Sequence, residues 1–125
     1  MYLLDTHILL WFLQNDTQLS KTALKIIETN DVCVSMASLW EIGIKHSLGK
    51  LDLPLPFGEI FPSQLMMNDI NVLPIEMVHL TIVNQLKFYH KDPFDRLIIA
   101  QALNGGLTLI SKDSKFAEYG VNLLW

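Results

Sequence analysis

Short apolar runs alternate with amphipathic stretches along the whole chain, and their spacing sets out the elements in order. Tyr2-Leu3-Leu4 predicts a first strand, after which Asp5-Thr6 opens a helical run through Ile8, Leu9, Leu10, Trp11 and Phe12. Ser20 is a good N-cap for a second helix, with Ala23, Leu24 and Ile27 on one face and Lys21, Lys25 and Glu28 on the other. Val32-Cys33-Val34-Ser35 predicts a buried strand, and residues 38–48 predict a helix that Gly49 ends. Pro54 and Pro56 make residues 51–56 an extended connector. Helices over 57–67 and 77–86 bracket a strand at 70–73. Asp92-Pro93 starts a strong helix with proline near its first position, and Gly105-Gly106 stops it. Strands at 108–111 and 122–124 close the chain. Strands joined by helices predict a mostly parallel sheet covered on both faces, an α/β three-layer sandwich. No linker or repeat interrupts the pattern, and 125 residues suit a single domain over 1–125.

Composition narrows this picture. Half the residues are hydrophobic and 18% are charged, which excludes disorder as a global description. The mean hydropathy of +0.30 suggests surface covered by a partner. A net charge of −4 argues against a generic phosphate-grasping surface, though metals can supply positive charge locally. The one cysteine, Cys33, excludes an internal disulfide and reads as a small buried hydrophobe in a reducing compartment. No basic segment precedes an apolar leader, and the longest apolar run, Ile8 to Leu13, is too short to cross a bilayer. A cytoplasmic protein without membrane contact is expected.

The chemistry lies in four carboxylates placed where carboxylates are costly. Asp5 follows the first apolar strand, Glu41 follows Ser38-Leu39-Trp40, Asp95 precedes Leu97-Ile98-Ile99, and Asp113 follows the apolar run 107–110. An ionised carboxylate held against a core costs several kcal/mol unless it is compensated. In an open parallel sheet, sites form beyond the carboxyl ends of the strands, which is where this topology brings Asp5 and Asp113. Each acid also has a plainer reading. Glu41 completes a capping box with Ser38 or pairs with Lys45; Asp95 serves the helix dipole behind Asp92; Asp5 and Asp113 are N-caps. Asp95, however, shares a stripe with Ile98, Ile99 and Ala102, which points it inward. Four acids at one rim favour a hard divalent cation as their compensator.

These residues carry a family resemblance. Leu3-Leu4-Asp5-Thr6-His7, Ser35 to Ile42, Leu48 to Leu51, His90 to Ala102 with its Asp-Pro-Phe-Asp-Arg block, Leu109 to Asp113 with Phe116, and Leu124-Trp125 stand in order along the chain. Together they resemble the PIN-domain ribonucleases, specifically the toxins of VapBC-type toxin–antitoxin pairs. The resemblance implies an acidic quartet of Asp5, Glu41, Asp95 and Asp113 that binds Mg²⁺ or Mn²⁺ and directs hydrolysis of single-stranded RNA. It also implies a small antitoxin that occludes the site, a toxin homodimer, and products with 5′-phosphate and 3′-hydroxyl ends. Asp5 and Asp95 are expected as direct ligands, with Glu41 and Asp113 acting through water. Lys115 stands where many relatives carry a fifth acid, and Ser111 where they carry Thr or Ser.

Thr6 and Ser111 are expected to support a carboxylate or a phosphate oxygen. Arg96 is read either as a phosphate clamp or as an outward salt bridge, and His7 as a packed or solvent-facing ring. His46, His79 and His90 share no metal-ligand spacing and are read as structural or surface. Trp11, Phe12 and Trp40 read as core. The absence of a Gly-rich phosphate loop excludes a P-loop nucleotidase. Thr6-His7 after Asp5 lacks the Asp-x-Asp form of an aspartyl-phosphate enzyme. The remaining alternative is a catalytically silent PIN-like module that binds RNA or protein.

Overall fold

A computed structural model describes residues 1–125. Strands β1 (Tyr2–Leu4), β2 (Val32–Ser35), β3 (Ile70–Leu73), β4 (Thr108–Ile110) and β5 (Asn122–Leu124) form one sheet in the order β3-β2-β1-β4-β5. Every neighbouring pair is parallel, so the expected mostly parallel sheet is wholly so. Six α-helices and one 3-10 helix supply the crossovers: α1 (Thr6–Leu13), α2 (Lys21–Thr29), α3 (Met36–Ser47), α4 (Phe57–Met67), α5 (Met77–Gln85), α6 (Pro93–Gly105) and the 3-10 turn Ser114–Tyr119.

The three layers follow from the two-residue period of the strands. On β1, Leu4 turns to one face and packs with Ile8, Leu9, Val34, Ile42 and Ile110. Leu3 turns to the other, against Cys33, Ile98, Ile99, Leu109 and Phe116. Helices α1 to α4 thus cover one face, while α6 and the 3-10 turn cover the other. Burial of each such side chain contributes about 1.5–3 kcal/mol, enough for this double core to carry polar groups at its rim. No helix is long and apolar enough to cross a membrane.

Local signals explain most of the element boundaries. Ser20 caps α2 by accepting from the Ala23 amide. Asp92 caps α6 by accepting from the Phe94 and Asp95 amides, ahead of Pro93. Gly106 ends α6 in the left-handed region at φ 61°, a conformation that favours glycine. Helix α3 starts earlier than the spacing predicts. Its N-cap is Ser35, the last strand residue, which accepts from the Ala37 amide. Ser38 is therefore inside the helix, and the Ser38–Glu41 capping box does not form.

Candidate active site at the carboxyl ends of β1 and β4

The four carboxylates converge. Asp5 leaves the end of the central strand β1, and its backbone amide donates to the Ile110 carbonyl of β4, 3.0 Å away. Its Oδ1 accepts from the Thr6 amide at 2.7 Å, so it caps α1 as well. Its Oδ2 accepts from the Ser111 hydroxyl at 2.8 Å. Ser111 Oγ in turn accepts from the Asp113 amide at 3.0 Å, tying the loop after β4 to the same point. On the other side, the Thr6 hydroxyl lies 2.9 Å from both Ser38 Oγ and Glu41 Oε1. Its single hydrogen belongs to the carboxylate, which can only accept. Glu41 Oε2 pairs with Lys45 one turn along α3, at 2.6 Å. Asp5, Thr6, Ser38, Glu41 and Ser111 are all buried.

Asp95 and Asp113 are joined by a residue the sequence spacing does not mark. His90 Nε2 lies 3.2 Å from Asp95 Oδ2 and 3.1 Å from Asp113 Oδ2. The imidazole rests against Phe116, with ring centroids 5.3 Å apart. The available signal is the position of His90 two residues ahead of the Asp92 cap. A loop that turns sharply into a helix brings such a residue back over the first turn, where Asp95 stands. Ser38 was also missed; its place three residues before Glu41 puts both on one helical face.

Electrostatics mark the site as short of positive charge. Burial raises Asp5 above the ordinary carboxylate range, against the opposing bond from Ser111. Desolvation, followed by the charges of Asp5, Asp92, Glu41 and Asp113, pushes Asp95 up to about 8. Lys45 is raised by its bond to Glu41. A cleft of about 270 Å³ opens beside the acids, lined by Asp5, His7, Ile8, Trp11, Lys112 and Asp113.

The donor set consists of hard carboxylate oxygens, which suits Mg²⁺ or Mn²⁺. No three histidine, cysteine, aspartate or glutamate side chains are placed to hold a metal ion together. Mg²⁺ usually takes one or two carboxylates from a protein and keeps several waters. Asp113 is the most open of the acids flanking His90, with 38% of its side chain exposed against 21% for Asp95.

Arg96 corrects both expectations held for it. It is buried and makes no ion pair; its guanidinium donates to the carbonyls of Val83, Leu86, Lys87 and His90 at 2.9–3.3 Å. Its flat face lies over Phe88, 4.1 Å from the ring centroid. Both terminal nitrogens are spent on backbone carbonyls, so the two-pronged end that would clamp a phosphate is already occupied. Trp40 is the second correction, since it is 59% exposed and meets Phe94 edge-on instead of entering the core. Trp11 and Phe12 do pack against the core. His7 is exposed beside Trp11, while His79 is buried and accepts from the Glu76 amide in a capping box.

The sequence model of the PIN domain family matches residues 2–122. No curated protein matches the sequence. Among solved structures, VapBC2 from Rickettsia felis bound to a promoter DNA fragment is similar at a TM-score of 0.73 and 15% identity, over 98% of this chain and 96% of that one. FitAcB from Neisseria gonorrhoeae is similar at 0.72 and 19%, over 100% and 97%. A toxin-antitoxin complex from Klebsiella pneumoniae is similar at 0.68 and 18%, over 100% and 97%. Identities this low speak for the fold alone, but the family match runs over nearly the whole length: the chain belongs to the PIN domain family.

Proposed function

We propose that this protein is the toxin of a toxin–antitoxin pair, an endoribonuclease that hydrolyses RNA phosphodiester bonds with a divalent cation held by Asp5, Glu41, Asp95 and Asp113. One observation carries the reading: four acids from four separate segments meet at one rim, linked through Thr6, Ser111 and His90. A purely structural use of these acids would satisfy them one at a time. Here Asp95 has its carboxyl raised first by burial and then by its neighbours' charge, and the second of these a bound cation would relieve.

Bound Mg²⁺ or Mn²⁺ would supply Lewis acidity and neutralise charge at the phosphodiester. Asp5 and Asp95 would hold it, with Glu41 and Asp113 orienting its waters. Ser111 and Thr6 each hold one oxygen of Asp5 and of Glu41 by a hydroxyl bond, which orients the two carboxylates. Lys112, on the wall of the same cleft, offers a cation to the RNA backbone.

A small antitoxin as partner is supported by the surface of α3. Met36, Trp40 and Leu48 are exposed there, and Met36, Trp40, Ile44 and Phe57 line one shallow apolar groove. The likeness to structures described as VapBC2 and as a toxin-antitoxin complex supports the same reading. A homodimer and a cytoplasmic location complete the proposal.

The test is cleavage of single-stranded RNA by the purified protein with Mg²⁺ or Mn²⁺, by its Asp95→Asn variant, and by the parent in EDTA. Cleavage by the parent alone is expected. Binding of RNA without cleavage under any divalent ion would instead establish a catalytically silent module.

A further inference from the structure

We propose that His90 is a positioning residue that holds Asp95 and Asp113 in the arrangement a divalent cation needs. The proposal rests on the reading of the acids as a metal site, and it concerns a residue outside the quartet. Three observations carry it.

First, the contact is specific. Nε2 shares a hydrogen bond with Asp113 Oδ2 at 3.1 Å and lies 3.2 Å from Asp95 Oδ2. These two come from α6 and from the loop after β4, with no hydrogen bond between them. One imidazole nitrogen is their shared polar partner.

Second, the residue is held at its backbone and along one face of its ring. The His90 amide donates to the Tyr119 hydroxyl at 2.8 Å, and the His90 carbonyl accepts from Arg96 at 3.3 Å. The Tyr119 hydroxyl donates in turn to the Lys87 carbonyl at 2.6 Å. Phe116, fully buried, backs the imidazole.

Third, the mount is costly in a way that a plain surface loop would not require. Arg96 places a permanent charge in a buried position and devotes it to four carbonyls of the segment 83–90. A buried guanidinium without a carboxylate partner fixes a loop in one shape. The residue that this shape delivers to the acids is His90. Asp5 and Glu41 already have their own fixed hydroxyl partners in Ser111 and Thr6. His90 does the same for the remaining half of the quartet.

Groups that orient metal ligands change metal affinity by roughly 10–100-fold when removed. The test measures Mn²⁺ binding to the otherwise metal-free protein by the electron paramagnetic resonance signal of free Mn²⁺, with no RNA present. Parent, His90→Ala, His90→Gln and His90→Asn are compared, and thermal unfolding checks that each is folded. Glutamine places its amide nitrogen where Nε2 lies; asparagine falls short of it. The expected result is a loss of about 10-fold or more in His90→Ala and His90→Asn, with affinity regained in His90→Gln. Parent-like affinity in folded His90→Ala overturns the proposal and leaves the metal site standing. Tighter binding in His90→Ala also overturns it, since the imidazole would then be a competitor of the cation. A parent that binds no Mn²⁺ overturns the metal reading itself, and this proposal with it.

Discussion

Asp95 carries the heaviest electrostatic load of any residue in the molecule. Its carboxyl is pushed to about 8 in the folded, metal-free protein, against 3.8 as the ordinary value. Between those values the folded state holds a proton that the unfolded chain has released. Stability therefore falls as pH rises through that interval, and Asp5, also raised, adds to the same trend. Thermal unfolding in EDTA should show a midpoint that declines from mildly acidic to mildly alkaline pH. In Asp95→Asn the decline should flatten while divalent-dependent RNA cleavage disappears. A slope unchanged by that substitution would assign the effect to another group. Ser111 is the matching neutral residue, since its hydroxyl both donates to Asp5 and accepts from the Asp113 amide. Ser111→Ala leaves two partners unmet in a buried place and should cost about 1–3 kcal/mol, read as a lower urea midpoint.

Among the elements, α6 does more than any other to shape the site. Its cap is Asp92, its first turn carries Asp95, and its next residue is Arg96, which reaches back to hold the preceding loop. Arg96→Met removes four hydrogen bonds to a charged donor and should destabilise the protein by at least about 2 kcal/mol. The loss should concentrate in the segment 83–90, where amide hydrogen exchange, at His90 above all, should accelerate. Uniform acceleration across the sheet would instead mean a global effect. At the other end of α6, Gly106→Ala forces a side chain into the left-handed region at φ 61° and should cost about 1 kcal/mol in the same denaturation assay.

These elements also show what could be read without coordinates. The Asp92-Pro93 start, the glycine stop, the inward stripe of Asp95 and the Ser20 cap are local signals, and all of them appear in the fold. The start of α3 misled because Ser35 and Ser38 are both good caps, and strand pairing to β3 extends only as far as Ser35. Arg96 and Trp40 were misread, and the contacts of His90 with the acids went unseen, for a common reason. Their roles depend on which distant backbone or solvent lies opposite, and neither periodicity nor spacing encodes that. The order of the strands, with β1 at the centre, belongs to the same class of long-range information.

At the scale of the whole molecule, excess negative charge at one rim is balanced by a fold that spends its core on both sides of a five-stranded sheet. A cation that binds the folded state alone raises its stability with the logarithm of its concentration once that exceeds the Kd. A ligand role for Asp95 would require it to lose its proton on binding, so Mg²⁺ or Mn²⁺ should then raise the unfolding midpoint more at alkaline than at acidic pH. Calorimetry at two pH values, with and without Mn²⁺, measures the difference. An equal shift at both would remove Asp95 from the ligand set.

The bond from Ser111 to Asp5 joins residues 106 positions apart, across the neighbouring strands β4 and β1. Asp113 follows two residues later. On a ribosome, then, a growing chain has no assembled centre until β4 has emerged and inserted beside β1. The four acids are thus brought together late, and a chain cut short before β4 would lack Ser111 and Asp113, two of the residues that tie them to β1.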